Sequence, residues 1–124
     1  MKALGIEIGA IVASPYVRAA QTALHVASAY GLEERVVESE LLEPGGSFHD
    51  MVKALRGIKG DAVLVVGHGP DLGLWAGHLV GCEEIPLGKG WLAWVRLREG
   101  EMRKGSARLM GLFPAEILAA AGRR

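Results

Sequence analysis

Two segments of the chain are apolar at nearly every position: residues 8–13, IGAIVA, and residues 62–67, AVLVVG. Runs this short and this rich in β-branched residues predict buried strands, and an unbroken apolar run predicts a parallel strand covered on both faces. A helix signal follows each run. After the first comes SPYVRAAQTALHVASAY, in which Ser14 can cap a helix and Pro15 suits its opening position. The pattern carries this helix to Tyr30. Gly31 then fits a left-handed stop, and Leu32 the apolar contact beyond it. After the second run comes HGPD and a helix over roughly 71–80.

The rest of the pattern fills in around these units. Residues 35–41, RVVESEL, predict a second strand, residues 43–47, EPGGS, a loop, and Ser47 a cap for a helix over roughly 48–58. Gly60 and Asp61 turn the chain into the second apolar run. Residues 83–90 are a loop. WLAWVRL at 91–97 and a segment over roughly 105–112 predict a hairpin around the turn REGEMRKG. A short helix is expected from Pro114 to about Ala121. Strands alternating with helices, then a hairpin, imply a single α/β domain spanning 1–124, with a largely parallel sheet flanked by helices. Such sheets take ligands outside the carboxyl ends of their strands.

Composition narrows the function. The chain has 124 residues, 50% hydrophobic and 23% charged, which suits one globular domain. Fourteen basic residues balance fourteen acidic ones, so no global field favours nucleic acid or an anionic membrane, and any anion site must be local. Cys82 is the single cysteine, which excludes a disulfide scaffold and suits a reducing cytoplasm. No uncharged apolar run approaches the roughly 20 residues of a membrane span, and Glu7 interrupts the opening apolar stretch, against a signal peptide. The scattered histidines and lone thiol offer no metal ligand set, and no cofactor is expected. No Lys-Ser/Thr follows Gly45-Gly46, so they are not a P-loop. Trp75, Trp91 and Trp94 read as core or sheet-face residues. Arg96 and Arg98 are too few beside them for a nucleic-acid platform.

Candidate chemistry sits at the two strand–helix junctions. A long side chain in the first turn of a helix leans back toward its N-terminus. Arg18 can thus join the free backbone N–H groups there, where the helix dipole favours an anion and the guanidinium fork matches phosphate. His68 follows the second apolar run, where one ring nitrogen can be fixed while the other faces the crevice. Alone, Arg18 reads as a solvated cation and His68 as a structural ring. Paired at equivalent junctions, they point to a site.

SPYVRAAQTA and VVGHGPDLG resemble two signature segments of the histidine phosphatase superfamily, the phosphoglycerate-mutase-like proteins, in order and spacing. The short chain, ELLEPGGS and the closing GLFPAEIL are similar to the short phosphohistidine phosphatase branch (SixA-type). The resemblance implies that Ser14, Arg18 and His68 bind substrate. Arg18 would grip the phosphoryl oxygens, and His68 would stabilise charge on the transferring group. It further implies a phosphorylated protein or a small phosphomonoester as partner.

The family's Arg-His-Gly segment, whose histidine is the nucleophile, has no counterpart: no Arg-His pair occurs in the 124 residues. The histidines are His25, His49, His68 and His78. The resemblance therefore implies that a strand and a helix are missing ahead of KALGIEIGAIVASP. Three explanations compete: a chain that begins downstream of its natural start, which is favoured; a shortened relative that binds phosphoryl groups without turnover; or a second chain, another copy included, that completes the sheet. Among lesser candidates, His49-Asp50 is placed at the crevice rim, and Glu40 or Glu43 as general acid, with a solvated role the stronger expectation for each. His25 is expected to serve packing or the surface, and His78 to be a partly buried helix residue.

Overall fold

A computed structural model describes residues 7–60, 62–98 and 100–113. The chain divides into two compact units, Met1–His68 and Gly69–Arg124.

The first unit is built on a three-stranded parallel sheet in the order β2-β1-β3. Strand β1 (Ala10–Ala13) lies at the centre, with Ile11, Val12 and Ala13 fully buried and Ala10 4% exposed. Helix α1 (Val17–Tyr30) crosses from β1 to strand β2 (Val36–Glu38) and lays Ala19, Ala23 and Ala27 inward at four-residue intervals. These small side chains let the helix lie close to the sheet. Ile11, Ala13, Ala23 and Ala27 form the core, ringed by Ile8, Val26, Leu32, Val36, Leu64 and Val66. Gly31 ends α1 at φ 68°, and the Leu32 N–H reaches back to the Ala27 carbonyl at 2.8 Å, the expected left-handed stop.

Two boundaries differ from expectation through a serine side chain. Helix α1 opens at Val17, because the Ser14 hydroxyl accepts the N–H of Tyr16 and closes a tight turn instead of capping the helix. Tyr16 takes the cap position without a side-chain bond. The second strand stops at Glu38. There the Ser39 hydroxyl accepts the N–H of Leu41, turning Glu40–Leu42 into a single 3-10 turn that buries Leu42. In both places a serine side chain offers the backbone a local bond that competes with regular structure.

Helix α2 (Phe48–Leu55) opens on the predicted Ser47 cap. The Ser47 hydroxyl accepts the Asp50 N–H at 3.1 Å, and the Asp50 carboxylate accepts the Ser47 N–H at 3.0 Å. The helix ends earlier than expected, where Arg56 turns extended and its N–H goes to the Lys53 carbonyl. The chain then enters strand β3 (Val63–Val66), parallel to β1 as expected. All four β3 residues are only half-buried, where cover on both faces was expected. Its place in the sheet gives the reason: β3 pairs with β1 on one side, and no strand among the described residues pairs with the other.

In the second unit, helix α3 (Asp71–Val80) buries Trp75 and Leu79. Gly77 faces the following loop so closely that a Cβ there would meet the Glu84 Cα at 2.6 Å. Strands β4 (Leu92–Leu97) and β5 (Ala107–Phe113) form the expected antiparallel hairpin, with an irregularity at Trp94/Val95. In its turn the Ser106 hydroxyl accepts the Arg103 N–H and donates to the Glu101 carbonyl. Trp75 is a core residue, and Trp94 lies half-exposed on the hairpin. The helix expected over Pro114 to Ala121 lies outside the described residues. Among the described residues no helix is long and apolar enough to cross a membrane.

Candidate functional site

The carboxyl end of β1 delivers the chain to Ser14, which is fully buried. Burial of a hydroxyl demands partners. Ser14 has two: its oxygen accepts the N–H of Tyr16 at 3.2 Å and lies 2.8 Å from Nε2 of His68. The carboxyl end of β3, the neighbouring parallel strand, brings His68 to this point across 54 residues of sequence. The Tyr16 ring stands edge-on to the imidazole, with centroids 5.2 Å apart and planes at 65°.

Above these contacts lies an open hollow of about 500 Å³, lined by Pro15, Tyr16, Val17, Arg18 and His68. Arg18 and His68, placed together by expectation, therefore share one surface. Arg18 is exposed, and its guanidinium has no hydrogen-bond or ion-pair partner among the described residues. The first turn of α1 carries no acidic residue and no side-chain cap, so the helix itself does not neutralise the positive end of its dipole. The hollow thus offers an anion a free guanidinium, a helix N-terminus and an imidazole. Its walls are otherwise apolar, with Tyr16 50% and Val17 69% exposed.

The lesser candidates do not line the hollow. His25 is exposed on α1, Glu40 opens the 3-10 turn, and Glu43 follows it. His49 is exposed in the first turn of α2, and Asp50 is engaged in its capping box. His78 belongs to α3, where its carbonyl accepts the N–H of Gly105 at 3.0 Å. The groups held off their ordinary pKa also lie elsewhere. The backbone N–H of Ser47 draws the Asp50 carboxyl down, and burial, then the nearby Glu7 carboxylate, pushes the Tyr30 phenol up.

Sequence reasoning missed Tyr16. It occupies a variable place in the Ser-Pro-x-x-Arg pattern, and only its closeness to Ser14 and Arg18 could have pointed to it.

No protein-family model matches the chain, and no curated protein matches it in sequence. In fold it is similar to a solved structure, the protein histidine phosphatase SixA complexed with tungstate. The match has a TM-score of 0.76 and 25% identity, and it covers 94% of this chain and 75% of that one. The resemblance to the histidine phosphatase superfamily carried by the two motifs therefore extends over nearly the whole chain. It takes in the mixed α/β architecture, the three-stranded parallel sheet and the antiparallel hairpin.

Proposed function

We propose that this chain is a phosphatase-type domain that binds phosphoryl groups in the hollow beside α1, and that its substrate class is a protein phosphohistidine. The observation that carries this is the meeting of Arg18 and His68 at one open hollow over a helix N-terminus whose first turn carries no acidic residue. Arg18 holds the phosphoryl oxygens through its fork of donors. The His68 ring donates to the same group and stabilises its charge as it transfers. The fold match to a histidine phosphatase solved with tungstate, itself a tetrahedral oxyanion, supports an oxyanion at such a site. Tyr16 and Val17 form an apolar collar suited to the side chain of a protein more than to a free ion.

A second reading is favoured by a specific observation: no Arg-His pair occurs in the sequence. His68 is already engaged with Ser14 and suited to charge stabilisation, so no attacking group is assigned. On this reading residues 1–124 by themselves bind phosphoryl groups without turning them over.

Vanadate and tungstate titrations of the purified protein test both. Saturable binding is expected, weakened about tenfold to a hundredfold in Arg18→Ala, as for loss of a charge-assisted hydrogen bond. No binding of either oxyanion would overturn the site. Hydrolysis of a phosphohistidine peptide is expected to stay at the buffer rate. Turnover that His68→Ala abolishes would establish a catalyst in place of a binding module.

A further inference from the structure

Ser14 was expected to touch substrate, yet its hydroxyl is fully buried and committed to protein groups. A serine hydroxyl has one proton to give and two lone pairs to accept with. At Ser14 one lone pair takes the N–H of Tyr16. An N–H can only donate, so the Ser14 proton remains to be placed. The only acceptor the hydroxyl meets among the described residues is Nε2 of His68, at 2.8 Å. An Nε2 that accepts carries no proton. In the neutral imidazole the proton must then sit on Nδ1, which has no partner among the described residues.

We propose that Ser14 is a positioning residue that fixes the tautomer of His68, holding Nε2 as acceptor so that Nδ1–H is the donor left for an anion in the hollow. The inference rests on the phosphoryl-binding reading for what the donor serves, but not for where the proton lies. The geometry suits the task. Ser14 leaves the fully buried strand β1, so its oxygen is anchored by the sheet, while the Tyr16 N–H holds it from the other side. The Tyr16 ring, edge-on at 5.2 Å, adds a second restraint on the imidazole plane. An isolated histidine would sample both tautomers and offer either nitrogen. Here the serine removes one choice before any ligand arrives.

Ring-nitrogen NMR of the full chain, labelled at histidine and kept at a pH where imidazole is neutral, reads the assignment directly. The His68 signals are identified by their loss in His68→Gln. The expected spectrum has His68 Nδ1 in the protonated range and Nε2 in the bare range. A proton on Nε2 in the unsubstituted protein would overturn the proposal without recourse to any Ser14 variant. In Ser14→Ala the proton population should move toward Nε2, and vanadate affinity should fall about tenfold, the scale of one lost hydrogen bond. A weakened affinity with an unchanged tautomer would assign Ser14 a purely structural role and overturn the proposal. If vanadate fails to bind the unsubstituted protein, the phosphoryl reading falls, while the ring spectrum still decides what Ser14 does.

Discussion

Strands β1 and β3 are near twins in sequence and neighbours in the sheet, yet they occupy different environments. Both are four-residue apolar strands whose carboxyl ends lead into a residue of the site, Ser14 directly after β1 and His68 two residues after β3. β1 is flanked on both edges and buried at all four positions; β3 has one neighbour among the described residues and is half-buried throughout. Composition tells a strand that it can be buried. Position in the sheet decides whether it is. The consequence for the site is a division of labour. The buried strand β1 leads into Ser14 and Arg18, while the half-buried β3 leads into the ring that Ser14 holds.

The contrast can be broken by truncating one residue on each strand. Ile11→Ala, at a fully buried site, should cost about 3 kcal/mol, within the usual span for such cavities. Its register partner Leu64→Ala should cost about half as much, because the residue is only half-buried and its surroundings can relax. Urea denaturation midpoints measure both, and equal costs would end the distinction. A second test separates site from scaffold. Arg18→Ala should weaken oxyanion binding about tenfold to a hundredfold and leave the denaturation midpoint nearly unmoved, since the side chain is exposed and unpaired among the described residues.

A third test asks what holds the approach to β3. Helix α2 precedes it, opened by the Ser47–Asp50 box, and Ser47→Ala should cost about 1 kcal/mol. That is close to the expected cost of Leu64→Ala, and it would mark local bonds as comparable to burial on this side of the sheet. The smallest effect is on acid stability. The folded Asp50 carboxyl titrates below its unfolded value of 3.8, drawn down by the Ser47 N–H. Its contribution is present above that value and is lost as the pH falls through the lower folded one. The stability gap between the unsubstituted protein and Asp50→Asn should therefore close only under acid conditions below about pH 4. A gap that persists there would assign the effect to something other than the carboxylate.

Features written in local chemistry were legible in the sequence. Gly31 ends α1, Ser47 opens α2, and two segments around the turn REGEMRKG give β4 and β5. What escaped depended on competition or on place. Ser39 took a backbone N–H that the strand pattern assigned to β2, and Ser14 closed a turn where a helix cap was expected. The exposure of β3 was invisible because nothing in four apolar residues says which strand will lie beside them. Arg18 and His68 were singled out by their motifs, and both line one hollow. Tyr16 was not, because its contact with His68 is made across the sheet and leaves no spacing along the chain.

The exposure of Arg18 also sets how the site would respond to its medium. A guanidinium at the surface acts through solvent as well as by contact, and dissolved ions damp charge interactions beyond about 8 Å at physiological ionic strength. Affinity for a bare oxyanion should therefore slacken as ionic strength rises. A phosphorylated side chain that also covers Tyr16 and Val17 keeps the part of its binding that salt does not touch. On the proposed reading, crowded, saline surroundings would thus favour a protein-borne phosphoryl group over free phosphate.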